Sequence, residues 1–337
     1  MEFKRFNSIE NSYQSEFIKS IHEHGFGDHE YIVQEKVHGA NFSFITNGKE
    51  VITAKRTDLI EADEDFFNSK AVLKKYESRI KTLFEHLSKT RNLETLTVFG
   101  EIFGGGYPHK DVPKNENAVL VQHGIYYHPE NEFFAFNILI DHSEYLDNQS
   151  VNELFEQFDF IYAKTLFKGS LNSCLAHSSS FKTTLPAEFG LPEIEGNICE
   201  GIVIRPLAPL FFGGGSRVII KNKNEEWAEN NNFIDPEILK TFIRSDDSLS
   251  EEAEELCEEV YKYISKNRLV NVLSKIGTVN PKKDLGKILG MFNKDILADF
   301  LKEFKTEYDA LEKFESKAIN KFVSKHASQI VAEHFEE

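Results

Sequence analysis

The alternation of apolar and polar positions splits the chain into two differently patterned parts. Up to Lys223 the dominant signal is the two-residue period of half-buried strands. It predicts strands at 30–37, 41–46, 50–56, about 95–102, 132–140, 199–205 and 217–223. Asn47-Gly48, between the second and third of these, is a strong hairpin signal. Within 132–140, strict alternation puts Phe134, Phe136, Ile138 and Ile140 on one face. Two stretches read as helices: 8–24, and 70–89, where Val72, Leu73, Tyr76, Ile80, Leu83, Phe84 and Leu87 recur at helical spacing. Residues 104–131 form a polar, glycine-containing excursion, and 150–180 mix a short helix, a strand and a serine-rich loop. The triple glycines at 104–106 and 213–215 read as turns, because neither opens a helix as a phosphate loop must.

Beyond Lys223 the period changes. Residues 225–247 are polar and acidic and read as a hinge. From Ser250 the pattern is helical, with Leu256, Val260, Tyr263 and Ile264 on one face and six glutamates between 251 and 259 on the other, a solvated surface. The expected organisation is a domain at 1–235 followed by a helical domain at 246–337.

Composition narrows the functional classes. A chain of 337 residues, 40% hydrophobic and 28% charged, has room for two cores. A formal charge of −16 excludes non-specific coating of nucleic acid, so any such contact must come from a local basic surface. The three cysteines, Cys174, Cys199 and Cys257, fit neither a disulfide framework nor a metal cage. No apolar run approaches membrane-spanning length and no targeting segment opens the chain, so a cytosolic location is expected.

The chemistry centres on residues 35–44, Glu-Lys-Val-His-Gly-Ala-Asn-Phe-Ser-Phe. Lys36 stands three residues before Gly39, where a glycine allows a sharp backbone turn beside a nucleophilic amine. Such an amine must be neutral to attack. An unperturbed lysine titrates near 10.4, so half-neutrality at pH 7 costs about 4–5 kcal/mol. Further along, Lys221 and Lys223 lie two apart in a strand and share a face, a pair of cations suited to a phosphate gaining charge. Glu200 opens the apolar run 201–204, where a carboxylate requires a partner.

In order, the chain carries Lys-Val-His-Gly at 36–39, Ala-Lys-Arg-Thr at 54–57, Phe-Gly-Glu at 99–101, Phe-Phe-Ala-Phe-Asn at 133–137, Glu-Gly-Ile-Val-Ile at 200–204 and Ile-Ile-Lys-Asn-Lys at 219–223. This set resembles the collinear motifs of covalent nucleotidyltransferases, the superfamily of ATP-dependent ligases and messenger-RNA capping enzymes. Its wording is most similar to the RNA ligase 2 family of phages and RNA-editing systems, and the similarity continues into the tail at 267–272 and 274–277.

The resemblance implies an α+β fold: a nucleotidyltransferase domain of ATP-grasp-like antiparallel sheets with flanking helices, then a small all-α domain. It implies an ATP-dependent RNA ligase joining 3′-hydroxyl and 5′-phosphate ends, in nicked duplex or bridged RNA, through lysyl-AMP and RNA-adenylate. ATP is then the substrate, Mg²⁺ or Mn²⁺ the cofactor and RNA the partner, with no obligate protein partner and no membrane. By position, Lys36 is the nucleophile. Glu35, Val37, His38, Asn41, Arg56, Glu101, Phe136, Glu200, Lys221 and Lys223 join it at the nucleotide. Phe136 would stack on adenine, Glu35 would lie at its edge, and Glu101 and Glu200 would serve the metal. Arg56, Arg268 and Asp295 fall where the family meets RNA. Two positions depart from the pattern: Asn137 replaces a usual aspartate, losing its charge, and Arg205 replaces a usual lysine. The competing readings are a DNA ligase, a capping-type enzyme and a catalytically weakened RNA-binding relative. Nucleotide preference separates capping from the rest.

Overall fold

The computed structural model describes residues 1–64, 66–228 and 249–336. The chain folds as two compact units, Met1–Glu226 and Trp227–Glu337. The first holds two sheets. One runs β1 (Glu10–Asn11), β11 (Ile220–Lys223), β10 (Gly201–Pro206), β2 (Tyr31–Lys36), β9 (Thr165–Gly169), antiparallel except where β1 lies parallel to β11. The other runs β4 (Val51–Lys55), β3 (Ala40–Thr46), β5 (Leu96–Gly104), β6 (Asn131–Ile140), β7 (Glu144–Tyr145), with β8 (Ile161–Tyr162) parallel to β6.

Each sheet buries its two faces differently. One face of the second sheet packs under α2 (Ser69–Ser88) and α3 (Asn148–Gln157). Val72, Tyr76, Ile80, Leu83 and Leu87 form the buried stripe of α2, and Phe42, Phe44 and Phe133 meet it from the strands, with ring centroids 4.8–5.8 Å apart. Buried rings of this kind contribute about 1.5–3 kcal/mol each. One face of the first sheet packs Tyr31, Val33, Ile202 and Ile204 against Ile21 of α1 (Ser15–Glu23) and Leu171 of α4 (Leu171–Leu175). The remaining two faces meet through Phe6, Phe99, Leu139 and Ile219, with Phe136 and Val203 packed against them. A short helix, α5 (Leu185–Glu188), completes this unit.

Two expectations need correction. The first helix starts at Ser15, because residues 10–11 add a strand instead: Glu10 N–H donates to Ile219 O (3.1 Å) and Ser12 N–H to Lys221 O (2.9 Å). The faces of β6 do not alternate throughout. Phe99 pairs with Asn137 but Gly100 with Ala135, so Phe136 is the extra residue of a β-bulge. Phe133, Ala135, Ile138 and Ile140 therefore face the helices, while Phe136 and Leu139 turn toward the other sheet. At Gly39 the chain bends between β2 and β3 as expected, and glycine is needed there for close approach too, since a Cβ would lie 2.4 Å from Ile102 O.

The second unit contains α6 (Glu251–Tyr261), α7 (Lys266–Ile276), α8 (Pro281–Glu303), α9 (Lys305–Ala310) and α10 (Lys313–Glu336). Leu256, Val260, Tyr263 and Ile264 are buried with Phe292, Phe300 and Phe322. Ser250 caps α6 by accepting from Ala253 N–H. The expected hinge at 225–247 lies mostly outside the described residues, as do the expected boundaries at 235 and 246. No described helix is long and apolar enough to cross a membrane.

Candidate active site

The register of the first sheet assembles the site. Gly201 of β10 lies between Lys36 of β2 and Lys223 of β11, and Val203 lies between Gln34 and Lys221. Because side chains alternate, Gln34, Lys36, Val203, Arg205, Lys221 and Lys223 share the face that looks toward the second sheet. Gly201 has φ +148, and a Cβ there would meet Asn222 O at 2.2 Å, so only glycine fits between the two lysine strands.

Glu200, with a fully enclosed side chain, is the hub. Its Oε2 accepts from Lys36 Nζ at 2.6 Å and its Oε1 pairs with Lys223 Nζ at 2.7 Å, while His38 Nδ1 lies 3.5 Å from Oε2. Burial pushes the Glu200 carboxyl up, but the charges of Lys223, Lys36 and His38 outweigh it and hold it well below the ordinary carboxylate range. Burial lowers the His38 imidazole, in spite of the pull of Glu200. His38 is fixed from behind, its main-chain N–H donating to Tyr127 Oη at 2.8 Å.

Across the space, Glu101 of β5 pairs in register with Asn41 of β3, whose side chain hydrogen-bonds to it. Burial pushes Glu101 up to about 7, against the charges of Lys36 and Arg56 and with that of Glu200. Two carboxylates near enough to repel, both hard oxygen donors, fit a divalent cation of the Mg²⁺ class. Arg56 follows β4, with Nη1 3.5 Å from Asn7 O. Its neighbour Lys55 turns the other way, to Asp58 (3.2 Å) and Glu64.

Beside this cluster opens a cavity lined by Phe6, Lys36, Glu101, Phe136, Val203 and Ile219, among others. Its polar floor is a buried network. Arg205 donates to Asn137 Oδ1 (2.5 Å), Phe136 O (3.0 Å) and Asn148 Oδ1, and Gln34 Nε2 donates to Asn148 Oδ1 (3.2 Å) and Ala163 O. Burial, with Arg217 nearby, holds the Arg205 guanidinium well below its usual value. The bulge brings this floor together, since it sets Phe136 and Asn137 both toward the cavity.

The structure gathers Lys36, Val37, His38, Asn41, Arg56, Glu101, Phe136, Glu200, Lys221 and Lys223 around this space. Glu35 lines the cavity with its backbone only. Its carboxylate takes the opposite face of β2, accepting from Thr183 Oγ1 (2.5 Å), Thr184 N (2.9 Å) and Thr184 Oγ1 (2.6 Å), so any contact with a base edge falls to the main chain. Burial raises the Glu35 carboxyl, and these hydrogen bonds pull it back.

Arg268, expected from the resemblance to meet RNA, is enclosed instead, and Asp295, expected beside it, is its ion-pair partner. The Arg268 side chain is 0% exposed; its Nη1 bonds Asp295 Oδ2 (3.1 Å) and Asp299 Oδ2 (2.8 Å), and its guanidinium lies 5.6 Å from the Tyr263 ring centroid. Asp295 is shared with Lys275. A guanidinium enclosed this way packs helices together and cannot reach a phosphate. The sequence reading also missed Gln34, Tyr127 and Asn148. Gln34 was within reach, two residues before Lys36 on the same strand face. Tyr127 lies in the irregular stretch, where no periodicity marks it. Elsewhere, among the described residues, His128, Glu130 and Glu132 come close enough to hold a metal, but Lys75 already pairs with both glutamates.

Comparison with known proteins agrees with this arrangement. The family model described as RNA ligase matches residues 29–223, and that described as T4 RNA ligase 2 C-terminal matches residues 247–329. The mitochondrial RNA-editing ligase 1 of Trypanosoma brucei brucei is 29% identical over 347 residues, covering 85% of this chain and 73% of the relative. RNA-editing ligase 2 of the same organism is 28% identical over 353 residues, covering 89% and 83%. Among solved structures, an RNA ligase of Naegleria gruberi is similar at 15% identity and TM-score 0.46, over 67% of this chain and 57% of that one. With both family models matched in sequence order, from the strand that carries Lys36 to the helices that enclose Arg268, the chain belongs to the RNA ligase family and has the two-part build of RNA ligase 2.

Proposed function

We propose that this enzyme joins RNA ends at the expense of ATP through three nucleotidyl transfers. The neutral amine of Lys36 attacks the α-phosphorus; the bond to the bridging oxygen of the β-phosphate breaks, pyrophosphate leaves and the amine proton passes to solvent. AMP then moves from Lys36 to the 5′-phosphate of an RNA strand. A 3′-hydroxyl attacks that phosphate, loses its proton, and AMP departs as the strand closes.

The observation that carries this reading is the placement of Lys36, paired with the Glu200 that also holds Lys223, at the edge of the cavity that Phe136 lines. Adenine would lie on Phe136, with main-chain groups of Glu35 and Val37 along its edge. Lys221 and Lys223, on the same strand face, would stabilise charge growing on the α-phosphate. Glu101 and Glu200 would hold Mg²⁺ or Mn²⁺, which when bound neutralises phosphate charge. Moving Glu200 toward a cation would also release its hold on Lys36.

Incubation with ATP labelled at the α-phosphate, followed by a chase with nicked duplex RNA or single-stranded RNA, tests the sequence of transfers. Label is expected first on protein, then on the 5′ end of nicked RNA, then in free AMP as strands join. Absence of protein label would overturn the reading.

A further inference from the structure

Among the described lysines of the helical unit, Lys262, Lys275, Lys302 and Lys305 each pair with a carboxylate. Among the described residues no carboxylate comes within ion-pair distance of Lys282, Lys283, Lys287 and Lys294 of α8, or of Lys313, Lys317, Lys321 and Lys325 of α10. The α10 lysines differ from those of α8 in lying, all four exposed, at strict four-residue spacing along one helix. Glu315 is the only acid between them, and it is buried and committed to the backbone N–H groups of Ser250 and Glu312.

This arrangement runs against helix energetics. Like charges four apart repel, and a cation in the first turn, as Lys313 is, opposes the helix dipole. Paired surface lysines elsewhere in the unit show that the fold does not require it. Successive members of the stripe are about 6 Å apart along the axis, four residues at 1.5 Å rise, a spacing comparable to that of successive phosphates on one strand of an A-form helix. Phe314 stays 50% exposed at the start of the stripe, and an aromatic ring kept in water beside uncompensated lysines suits a sugar-phosphate surface. The stripe extends sideways. Asn293 of α8 donates to Ser324 Oγ at 3.3 Å, joining the two helices where Lys294 is also exposed.

We infer that the exposed lysine stripe of α10, Lys313, Lys317, Lys321 and Lys325, is the surface by which the helical unit grips the phosphate backbone of its RNA, in place of the enclosed Arg268. The inference rests on the ligase reading and specifies which part of the chain supplies the local basic surface that a formally −16 protein requires.

The test uses the full chain. Binding of nicked duplex RNA is measured between ~50 and ~200 mM salt for the wild type, the quadruple lysine-to-alanine variant, the quadruple lysine-to-arginine variant and a K262A/K302A/K305A control. The alanine variant is expected to bind about tenfold or more weakly at the lower salt. Its slope of log affinity against log salt should shrink by about one for each phosphate that a lysine no longer neutralises. The arginine variant and the control should retain wild-type slope and affinity. Lysyl-adenylate formation should be unchanged in all four, which reports folding of the first unit and separates this inference from the ligase reading. An unchanged helical circular-dichroism signal reports folding of the second. Absence of adenylylation in the wild type would overturn that reading. Normal adenylylation with unaltered RNA affinity and salt slope in the alanine variant would overturn the inference, in favour of an acidic protein partner for the stripe. An equal loss of binding in the control would overturn it too.

Discussion

Each unit of this protein encloses a small cluster of opposite charges, and the two clusters do different work. Around Glu200, the pairing cation Lys36 keeps 19% of its side chain exposed and borders a cavity. Around Arg268, the cation is 0% exposed and is held by Asp295, Asp299 and the Tyr263 ring. Setting separates them further: the Glu200 cluster lies beside Glu101, whose carboxyl is pushed up to about 7 by burial, whereas Arg268 meets two carboxylates inside a helical core. A buried ion pair thus says little about function until its access is known.

The largest effect expected is on chemistry. Lys36→Ala should reduce protein labelling by ATP to background, and Lys36→Arg should fail equally because the guanidinium stays protonated. Stability should fall by only about 1 kcal/mol or less, since Lys223 and His38 remain on Glu200. Label transfer and urea denaturation measure the two effects on the same samples. Arg268→Ala should show the reverse. Lys275 and Lys302 stay on the two aspartates, but removing a fully enclosed side chain should cost about 2–5 kcal/mol through the cavity it leaves, while labelling of the folded protein proceeds at the wild-type rate. A folded Arg268→Ala protein that cannot label would erase the contrast between the clusters.

The third effect is on pH dependence. Glu101 has its carboxyl raised from 4.5 to about 7, so the folded state binds the proton more tightly than the unfolded state does. Its contribution therefore favours folding at low pH and is lost as pH rises from about 4.5 to about 7. Glu200, held below 4.5, contributes the opposite slope, its stabilisation present above 4.5 and lost as pH falls. Glu101→Gln should remove the Glu101 component and be relatively more stable than wild type above pH 7 by denaturation midpoint. An unchanged midpoint-pH profile would show that Glu101 is not strained by its neighbours. The smallest effect belongs to the cavity floor. Among the described residues no carboxylate contacts Arg205, so Asn137→Asp should pair with it and stabilise by about 1–2 kcal/mol. A lower midpoint would mean that the floor tolerates the uncompensated guanidinium better than the added acid.

Much of the first unit was legible because strand periodicity and short motifs reinforce each other. Lys221 and Lys223 share a face in the structure for the reason that the sequence suggests, and Glu200 has the partner that its apolar setting demands. The bulge at Phe136 was not legible, because alternation carries no mark of an inserted residue. Its pairing with Phe99 and Gly100 is a property of two strands, not one. Strand β1 was hidden for the same reason: residues 10–11 are extended only because β11 offers an edge. Tyr127 and the Thr183 and Thr184 hydroxyls act through contacts between residues far apart in sequence. In the tail, motif position suggested Arg268, yet helical periodicity places it among buried Leu269 and Val272. The exposed lysines of α10 belong to no motif. That no described carboxylate reaches them is a matter of three-dimensional contacts, which no sequence pattern records.

The central claim is that Lys36, alone among the lysines around Glu200, is the nucleophile. The direct measurement is peptide mapping of protein labelled with ATP, quenched at a pH where a phosphoramidate survives. The account predicts a single adenylylated peptide carrying AMP on Lys36. AMP on Lys221 or Lys223, with the peptide containing Lys36 unmodified, would contradict it.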